Sequence, residues 1–328
     1  MIRFGVIGTN WITDEFIKGA SLNEDFKLNA VYSRTEEKAK SFAGKYGVEN
    51  IFTDLNEMAK SPVIDAVYIA SPNSLHAGQS ILFLNNRKHV LCEKPLASNS
   101  KEVMNMIKAA KDNKVLLMEA MKTTFLPNFI AVKNNLHKIG KIRKVITNFC
   151  QYSSRYDGYK QGKQFNIFNP AFSTGSLMDI GVYCVYPIIS LFGNPKDMMA
   201  SGIILESGVD GQGTVYLQYD EMEAVIIHSK ITDSAIPSEI QGEKGSIVIN
   251  KVSVPQKVAI HYRNGDVEDI SQPQIKEDMY YEAKEFINLI KTGKSQSDVN
   301  SHDLSLSVMK VLDEARRKMG VVFPADGC

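Results

Sequence analysis

Four stretches of this chain carry side chains whose type and spacing suit the chemistry of a nucleotide and of a hydroxyl group. In the first, Gly5-Val6-Ile7-Gly8-Thr9-Asn10-Trp11-Ile12-Thr13, an apolar run ends in a partial G-x-G-x-x-G/A loop. Gly8 supplies the tight turn, Asn10 replaces the second glycine and Thr13 the third small residue. Asn tolerates positive φ better than most residues, so the turn survives if the Asn10 side chain points away from a phosphate. Gly8, Thr9, Asn10, Trp11 and Ile12 are the candidate cofactor contacts, because helix N-terminal amides hold anions; a turn with no ligand is the alternative. The second stretch, Ser33-Arg34-Thr35 with Lys38 one turn on, ends the next apolar run, where an NAD-binding chain carries an acid for the ribose 2′-hydroxyl. A hydroxyl and two cations suit a phosphate monoester, which favours NADP over NAD; a solvated basic helix start is the alternative. Asp179 and Tyr183, four positions apart on an expected helix, share a face and can reach one substrate. Lys94 follows the run His89 to Cys92, and a residue just past the carboxyl edge of a parallel strand faces the ligand crevice. An ammonium there polarises a substrate oxygen; an exposed lysine in a turn is the alternative.

Those positions need a scaffold of alternating strands and helices. Strands are predicted at Ile2 to Ile7, Phe26 to Tyr32, Ala66 to Ala70, His89 to Cys92 and Val115 to Met118. Helices are predicted at Glu36 to Tyr46, Leu75 to Asn85 and Ser100 to Asp112. Single helices between short apolar strands imply right-handed crossovers and a parallel sheet. After about Glu119 the pattern changes. Pro127 to Leu136 and Leu177 to Phe192 read as helices, whereas Asp197 to Ile270 is a series of short strands with Gly-rich or charged turns, the pattern of an antiparallel sheet. Two helices, Met279 to Thr292 and Ser301 to Met319, follow.

At 328 residues the chain has the length of two domains, and 44% apolar against 23% charged residues is the balance of an ordinary globular protein. Lys+Arg total 38 and Asp+Glu 37, so no global field attracts nucleic acid or an anionic membrane. No stretch approaches the roughly 20 consecutive apolar residues of a membrane span, and the N-terminus lacks the features of a secretory signal. Cys92, Cys150, Cys184 and Cys328 are widely spaced with no zinc-ligand pattern, so reduced thiols in a cytoplasm are expected and no metal is.

The segments Ser71-Pro72-Asn73-Ser74-Leu75-His76 and Cys92-Glu93-Lys94-Pro95-Leu96 carry a resemblance that continues through Glu119-Ala120, Phe125-Leu126-Pro127, Gly175-Ser176-Leu177-Met178-Asp179-Ile180-Gly181-Val182-Tyr183, Leu191-Phe192-Gly193 and Gly242-Glu243-Lys244-Gly245. The chain resembles the glucose-fructose oxidoreductase / inositol dehydrogenase family (Gfo/Idh/MocA), in a branch similar to dimeric dihydrodiol dehydrogenase. The resemblance implies an α/β fold: an N-terminal Rossmann doubly wound parallel sheet over residues 1–120, and over 121–328 a substrate-binding and oligomerisation domain with an open, mostly antiparallel sheet. The last helix is free to pack back on the first domain, and a nicotinamide cofactor would lie in the cleft. It further implies that Lys94 is the active-site lysine, that Glu93 lies by the nicotinamide ribose, and that the Lys94-Pro95 bond is cis. Ser71, Asn73 and His76 would contact the cofactor, although capping explains a single His at a helix start equally well. Tyr183 stands where inositol dehydrogenases have His and is the candidate proton donor or acceptor, with a core tyrosine as the alternative; Asp179 would orient a sugar hydroxyl or the lysine. Thr124 stands where many relatives have arginine. Arg155, Tyr156 and Tyr159 form a polar aromatic loop that either lines the substrate pocket or packs locally.

Together these readings give an NADP-dependent, or NAD-dependent, oxidoreductase that moves hydride to or from a CH–OH/C=O carbon of a sugar, polyol or cyclic diol. A homodimer or homotetramer through the C-terminal sheet, a small-molecule substrate and no nucleic-acid or membrane partner are expected. The competing readings are a nucleotide-sensing regulatory protein of the same fold and a redox-assisted glycosidase with tightly held NAD.

Overall fold

A computed structural model of the protein describes residues 1–327. Cys328 lies outside the described residues; Cys92, Cys150 and Cys184 are free thiols. The chain divides into two compact units, Met1–Lys122 with Ile275–Leu306, and Thr123–Gln274 with Ser307–Cys328.

The first unit alternates strictly: β1 (Ile2–Ile7), α1 (Trp11–Ala20), β2 (Phe26–Tyr32), α2 (Glu36–Gly44), β3 (Asn50–Phe52), α3 (Leu55–Lys60), β4 (Ala66–Ile69), α4 (Asn73–Asn85), β5 (His89–Glu93), α5 (Ser100–Asn113) and β6 (Leu117–Ala120). All pairings are parallel, in the order β3-β2-β1-β4-β5-β6, so the winding direction reverses between β1 and β4. All four residues of β4 are buried, as a strand covered on both faces requires. Side chains of Asn10, Thr35, Asp54 and Asn99 cap α1, α2, α3 and α5, each satisfying amides that the helix cannot. Under α1 the ring of Phe16 stacks on Tyr68 at 3.8 Å, and Phe4 meets Phe16, Phe26 and Phe286. β3 and α3, too short for a readable period, are absent from the sequence expectation.

The second unit contains α6 (Pro127–Asn135), β7 (Ile142–Cys150), α7 (Tyr156–Lys160), α8 (Val182–Phe192), β8 (Asp197–Ile204), β9 (Asp210–Gln218), β10 (Glu223–Ser229), β11 (Ser238–Gly242), β12 (Gly245–Ile249), β13 (Val258–Tyr262) and β14 (Val267–Asp269). Two further helices follow, α9 (Tyr280–Lys291) in the first unit and α10 (His302–Met319). The eight strands lie in the order β14-β13-β12-β11-β7-β10-β9-β8, antiparallel throughout except for the parallel pair β7 and β10. Alternate residues such as Val145, Leu217, Ala224 and Ile226 are buried on one face, where Thr147 donates to the Cys184 carbonyl of α8.

The segment expected as one helix over Leu177 to Phe192 is composite. A π-helical turn, Leu177–Gly181, precedes α8, and Pro187 inside α8 lacks the N–H that would bond the Tyr183 carbonyl. Taken as a whole, Pro170–Phe192 has the length and mean hydropathy of a membrane-crossing helix, although polar residues such as Ser173, Thr174 and Asp179 break it into shorter apolar runs. Some 72% of that window is buried inside the protein, as for a core helix.

Candidate active site

In the first unit the sequence-predicted residues gather at the carboxyl ends of β1, β2, β4 and β5, on the two sides of the winding reversal. That is where open parallel sheets take ligands. Gly8 leaves β1 with φ +106°, and a Cβ on it would come within 2.5 Å of the Ala70 carbonyl oxygen, so the loop can pass β4 only as glycine. Asn10 departs from expectation. Its φ is −111°, and its side chain turns into the fold: Oδ1 accepts from the amides of Ile12 (3.1 Å) and Thr13 (3.3 Å), while Nδ2 donates to the Ala70 carbonyl (3.0 Å). Asn10 is therefore the N-cap of α1 and a tie to β4, the role that an Asn directly before a helix announces. Beside it Thr9 and Ile12 are half-buried, while Trp11 opens α1 with 71% of its surface exposed.

At the end of β2 Ser33 is buried, its amide donating to the Phe52 carbonyl of β3. Arg34 and Lys38 are exposed, and neither takes an acidic partner among the described residues. Thr35 caps α2 with its hydroxyl, and Glu36 is occupied by Lys40. Two cations thus stand uncompensated at the strand tip.

From β4 the chain passes through Ser71, whose hydroxyl donates to Gln79 (2.7 Å), into α4, which begins at Asn73. His76 is buried, with Nδ1 3.0 Å from the Pro95 carbonyl oxygen and Nε2 2.9 Å from that of Ser71. Only a doubly protonated ring bonds both. Burial foremost pushes its pKa below the ordinary histidine value, the two carbonyls oppose this, and the Lys94 charge adds to the lowering. His76 thereby ties the β4 loop to the segment after β5.

Glu93 ends β5, buried, and the Lys94-Pro95 bond that follows is cis. Tyr68 donates its phenolic O–H to Glu93 Oε1 at 2.5 Å, and the Lys94 amide donates to Oε2 at 3.3 Å. Lys94 itself is half-buried. Behind this segment Glu119 accepts from the Leu96 amide at 3.0 Å, and burial raises its pKa to about 7.

In the second unit Asp179 lies on the π-helical turn and Tyr183 in the first turn of α8. Tyr183 is half-buried, its ring 5.9 Å from that of Phe149. Lys230, just beyond β10 and nearly buried, forms an ion pair with Asp179, whose side chain is 31% exposed. Periodicity gives no hint of Lys230, because its partner is distant in sequence. The turn is held from below. Asp210 Oδ2 accepts from the Leu177 amide at 2.6 Å, and a Cβ on Gly175 (φ +138°) would come within 2.2 Å of Oδ1. His228 places Nδ1 2.9 Å from the Ser176 hydroxyl, with burial lowering its pKa to about 3.

Tyr156 and Tyr159 stack at 6.1 Å and both pack on Phe168, so the aromatic loop is largely self-packed. It also borders a cavity of about 450 Å³ between Tyr159, Lys163, Phe165, Asn169 and Glu206.

Comparison with known proteins places the chain. Its residues 2–121 match the oxidoreductase family described as an NAD-binding Rossmann fold, and residues 135–248 match the GFO/IDH/MocA C-terminal domain. It is 57% identical over 326 residues to scyllo-inositol 2-dehydrogenase (NADP(+)) IolU of Bacillus subtilis (strain 168), covering 99% of each chain. With the uncharacterized oxidoreductase YgjR of Escherichia coli (strain K12) it shares 51% identity over 328 residues, again covering 99% of each. Among solved structures, the aldose-aldose oxidoreductase of Caulobacter crescentus superposes with a TM-score of 0.85 at 23% identity over 97% of both chains, a likeness of fold. With an all-parallel sheet followed by a mostly antiparallel one, and relatives matched along their whole length, the chain belongs to the Gfo/Idh/MocA family of oxidoreductases, and its first unit is that family's NAD-binding Rossmann fold.

Proposed function

We propose that the protein is an NADP(H)-dependent dehydrogenase acting at a CH–OH/C=O carbon of a polyol, sugar or cyclic diol, with an inositol-type ring as the first substrate to test. The observation that carries this reading is the pair of uncompensated cations, Arg34 and Lys38, beside Ser33 at the end of β2. An acid at that position would favour NAD, and none stands there. The NADP(+) dependence and inositol substrate in the name of the Bacillus subtilis relative support the same reading.

The residues present fit a dinucleotide. Gly8 lets the loop pass close to β4, and Arg34, Lys38 and the Ser33 hydroxyl suit a 2′-phosphate. When bound, the nicotinamide supplies the hydride donor or acceptor. The chain's own share is the proton and the orientation of the substrate. Lys94 presents an ammonium that polarises the substrate oxygen and stabilises developing alkoxide. Tyr183 gives or takes the hydroxyl proton through its phenol. Asp179, fixed by Lys230, accepts a hydrogen bond from a neighbouring hydroxyl. Reduction of NADP⁺ by scyllo-inositol, followed at the reduced-nicotinamide absorbance, tests this. Lys94→Ala and Tyr183→Phe should each lose about 100-fold or more in turnover, and full turnover in both would overturn the assignment.

The second sheet supports self-association. Val248, Glu239, Ile146, Val225, Tyr216 and Met199 lie in register across the face opposite the buried one, Met199 62% exposed. Four consecutive strands, β7, β10, β9 and β8, carry the apolar part of this row, from Ile146 to Met199, and such a stripe on an open sheet suits a second copy of the same face. Val225→Arg should lower the mass measured by sedimentation; an unchanged mass would remove this face from the interface.

A further inference from the structure

The π-helical turn that carries Asp179 and leads into Tyr183 begins without a cap of its own. The first amides of a helical segment need acceptors from outside it, yet Ser176, in the capping position, makes no side-chain bond to them. Its hydroxyl lies instead 2.9 Å from Nδ1 of His228, in β10. The acceptor for the Leu177 amide comes from Asp210, the first residue of β9 and 33 positions away, through Oδ2 at 2.6 Å. A carboxyl group there also suits the positive end of the turn. Two strands thus hold two consecutive residues at its start.

Backbone without side chains makes room for both anchors, which are 0% exposed. A Cβ on Gly175, whose φ is +138°, would collide with Asp210 Oδ1. The His228 ring packs against two more glycines. Gly213 is its partner in the ladder between β10 and β9, and a Cβ there would come within 2.8 Å of Nε2. One on Gly181, the last residue of the turn, would come within 3.2 Å of the ring's Cγ.

We infer that Asp210 and His228 are positioning residues: they fasten the start of the π-helical turn to the sheet, so that Asp179 and Tyr183 take their places from β9 and β10 rather than from the loop before the turn. A π-helical turn closes its bonds one residue later than an α-helical one. Released from Asp210, the segment is free to return to the α-helical register, which shifts Asp179 against Tyr183. The catalytic meaning of this rests on the proposed roles of those two residues; the anchor does not.

Three variants test it. Asp210→Leu removes the acceptor at similar size, Asp210→Asn keeps an oxygen for the Leu177 amide, and Ser176→Ala removes only the hydroxyl that faces His228. Hydrogen exchange in the peptide over 176–183, followed by mass spectrometry, should be about tenfold or more faster in Asp210→Leu than in wild type. It should rise about threefold in Ser176→Ala and stay within about twofold in Asp210→Asn, while the β12–β13 hairpin is unchanged in all three. Equal rates in that peptide, or equal acceleration in the hairpin, would overturn the anchor. A fluorotyrosine at position 183 reads placement without substrate. Its fluorine NMR spectrum should match wild type in Asp210→Asn and show a shifted or second resonance in Asp210→Leu; one unshifted resonance in both would overturn the positioning role. Turnover should follow the same order, with kcat of Asp210→Leu lowered about tenfold and KM for NADP⁺ within about twofold. If Asp210→Leu fails to fold, Ser176→Ala decides both the exchange and the fluorine readings. Should both change as expected while Tyr183→Phe retains full turnover, it is the proposed catalysis that fails and not the anchor.

Discussion

The ammonium of Lys230, at the carboxyl end of β10, holds the carboxylate of Asp179 on the π-helical turn, and the lysine is the more buried partner, 8% exposed against 31%. The cation thus sits behind the acid, and the acid faces outward. Lys230→Met should lower stability by about 1.5–3 kcal/mol, the range for a hydrogen bond to a charged group, and turnover by roughly tenfold. Lys230→Arg should recover part of both. A methionine variant with lowered thermal midpoint but full turnover would make the pair purely structural.

Arg34→Ala should weaken NADPH by about tenfold or more while NADH changes less than about twofold, since only the former carries the 2′-phosphate. Trp11 provides the readout. It is the one tryptophan of the chain and opens α1 directly after the glycine loop with 71% exposure. Quenching of its fluorescence on titration gives both affinities, and equal losses for the two cofactors would remove Arg34 from phosphate recognition.

Asn10→Ala removes the cap of α1 and the tie to Ala70 and should cost about 1 kcal/mol in urea unfolding. Asn10→Asp keeps an oxygen for the Ile12 and Thr13 amides but loses the Nδ2 donor and brings a negative charge to the loop. Its stability loss should be smaller than alanine's and its loss of cofactor affinity larger. The reverse order would show that Asn10 acts on the fold alone.

Glu119 has a pKa raised from 4.5 to about 7 by burial. Below pH 4.5 it is protonated in the folded and unfolded chain alike, and its favourable contribution is complete. As pH rises to 7 and above, the folded state holds a buried charge and that contribution is lost. Glu119→Gln should therefore gain on wild type by up to about 3 kcal/mol between pH 4.5 and 7.5. His228, with its pKa lowered to about 3, acts in the opposite sense, losing stability as pH falls below 6.5, so the comparison is made between variant and wild type at each pH. A constant difference across that range would mean that Glu119 is ionised throughout.

Most of the first unit was legible because short apolar strands alternate with single helices that carry their own period. The loop after β1, the cations after β2 and the Glu93-Lys94-Pro95 segment could be placed from their neighbours in sequence. What escaped depends on partners remote in the chain. Lys230 meets Asp179 across 51 positions. Asp210 fastens the π-helical turn from the start of β9. The N-cap role of Asn10 follows from the preference of Asn for the position before a helix, a signal masked here because the same position falls inside a partial glycine motif.

Strand β7 lies between β11 and β10, and its neighbours on both sides come from much later in the chain. By contrast β8-β9-β10 and β11-β12-β13-β14 are each built from hairpins between consecutive strands. During synthesis β7 has no partner until residues 223–242 have emerged, while both meanders close locally, a cheaper step because short loops cost less entropy. β7 is then the seam that joins two independently formed halves, and in pulsed hydrogen exchange its amides should gain protection after those of the β9–β10 and β12–β13 hairpins. Protection of β7 first would mean that the sheet grows outward from its centre.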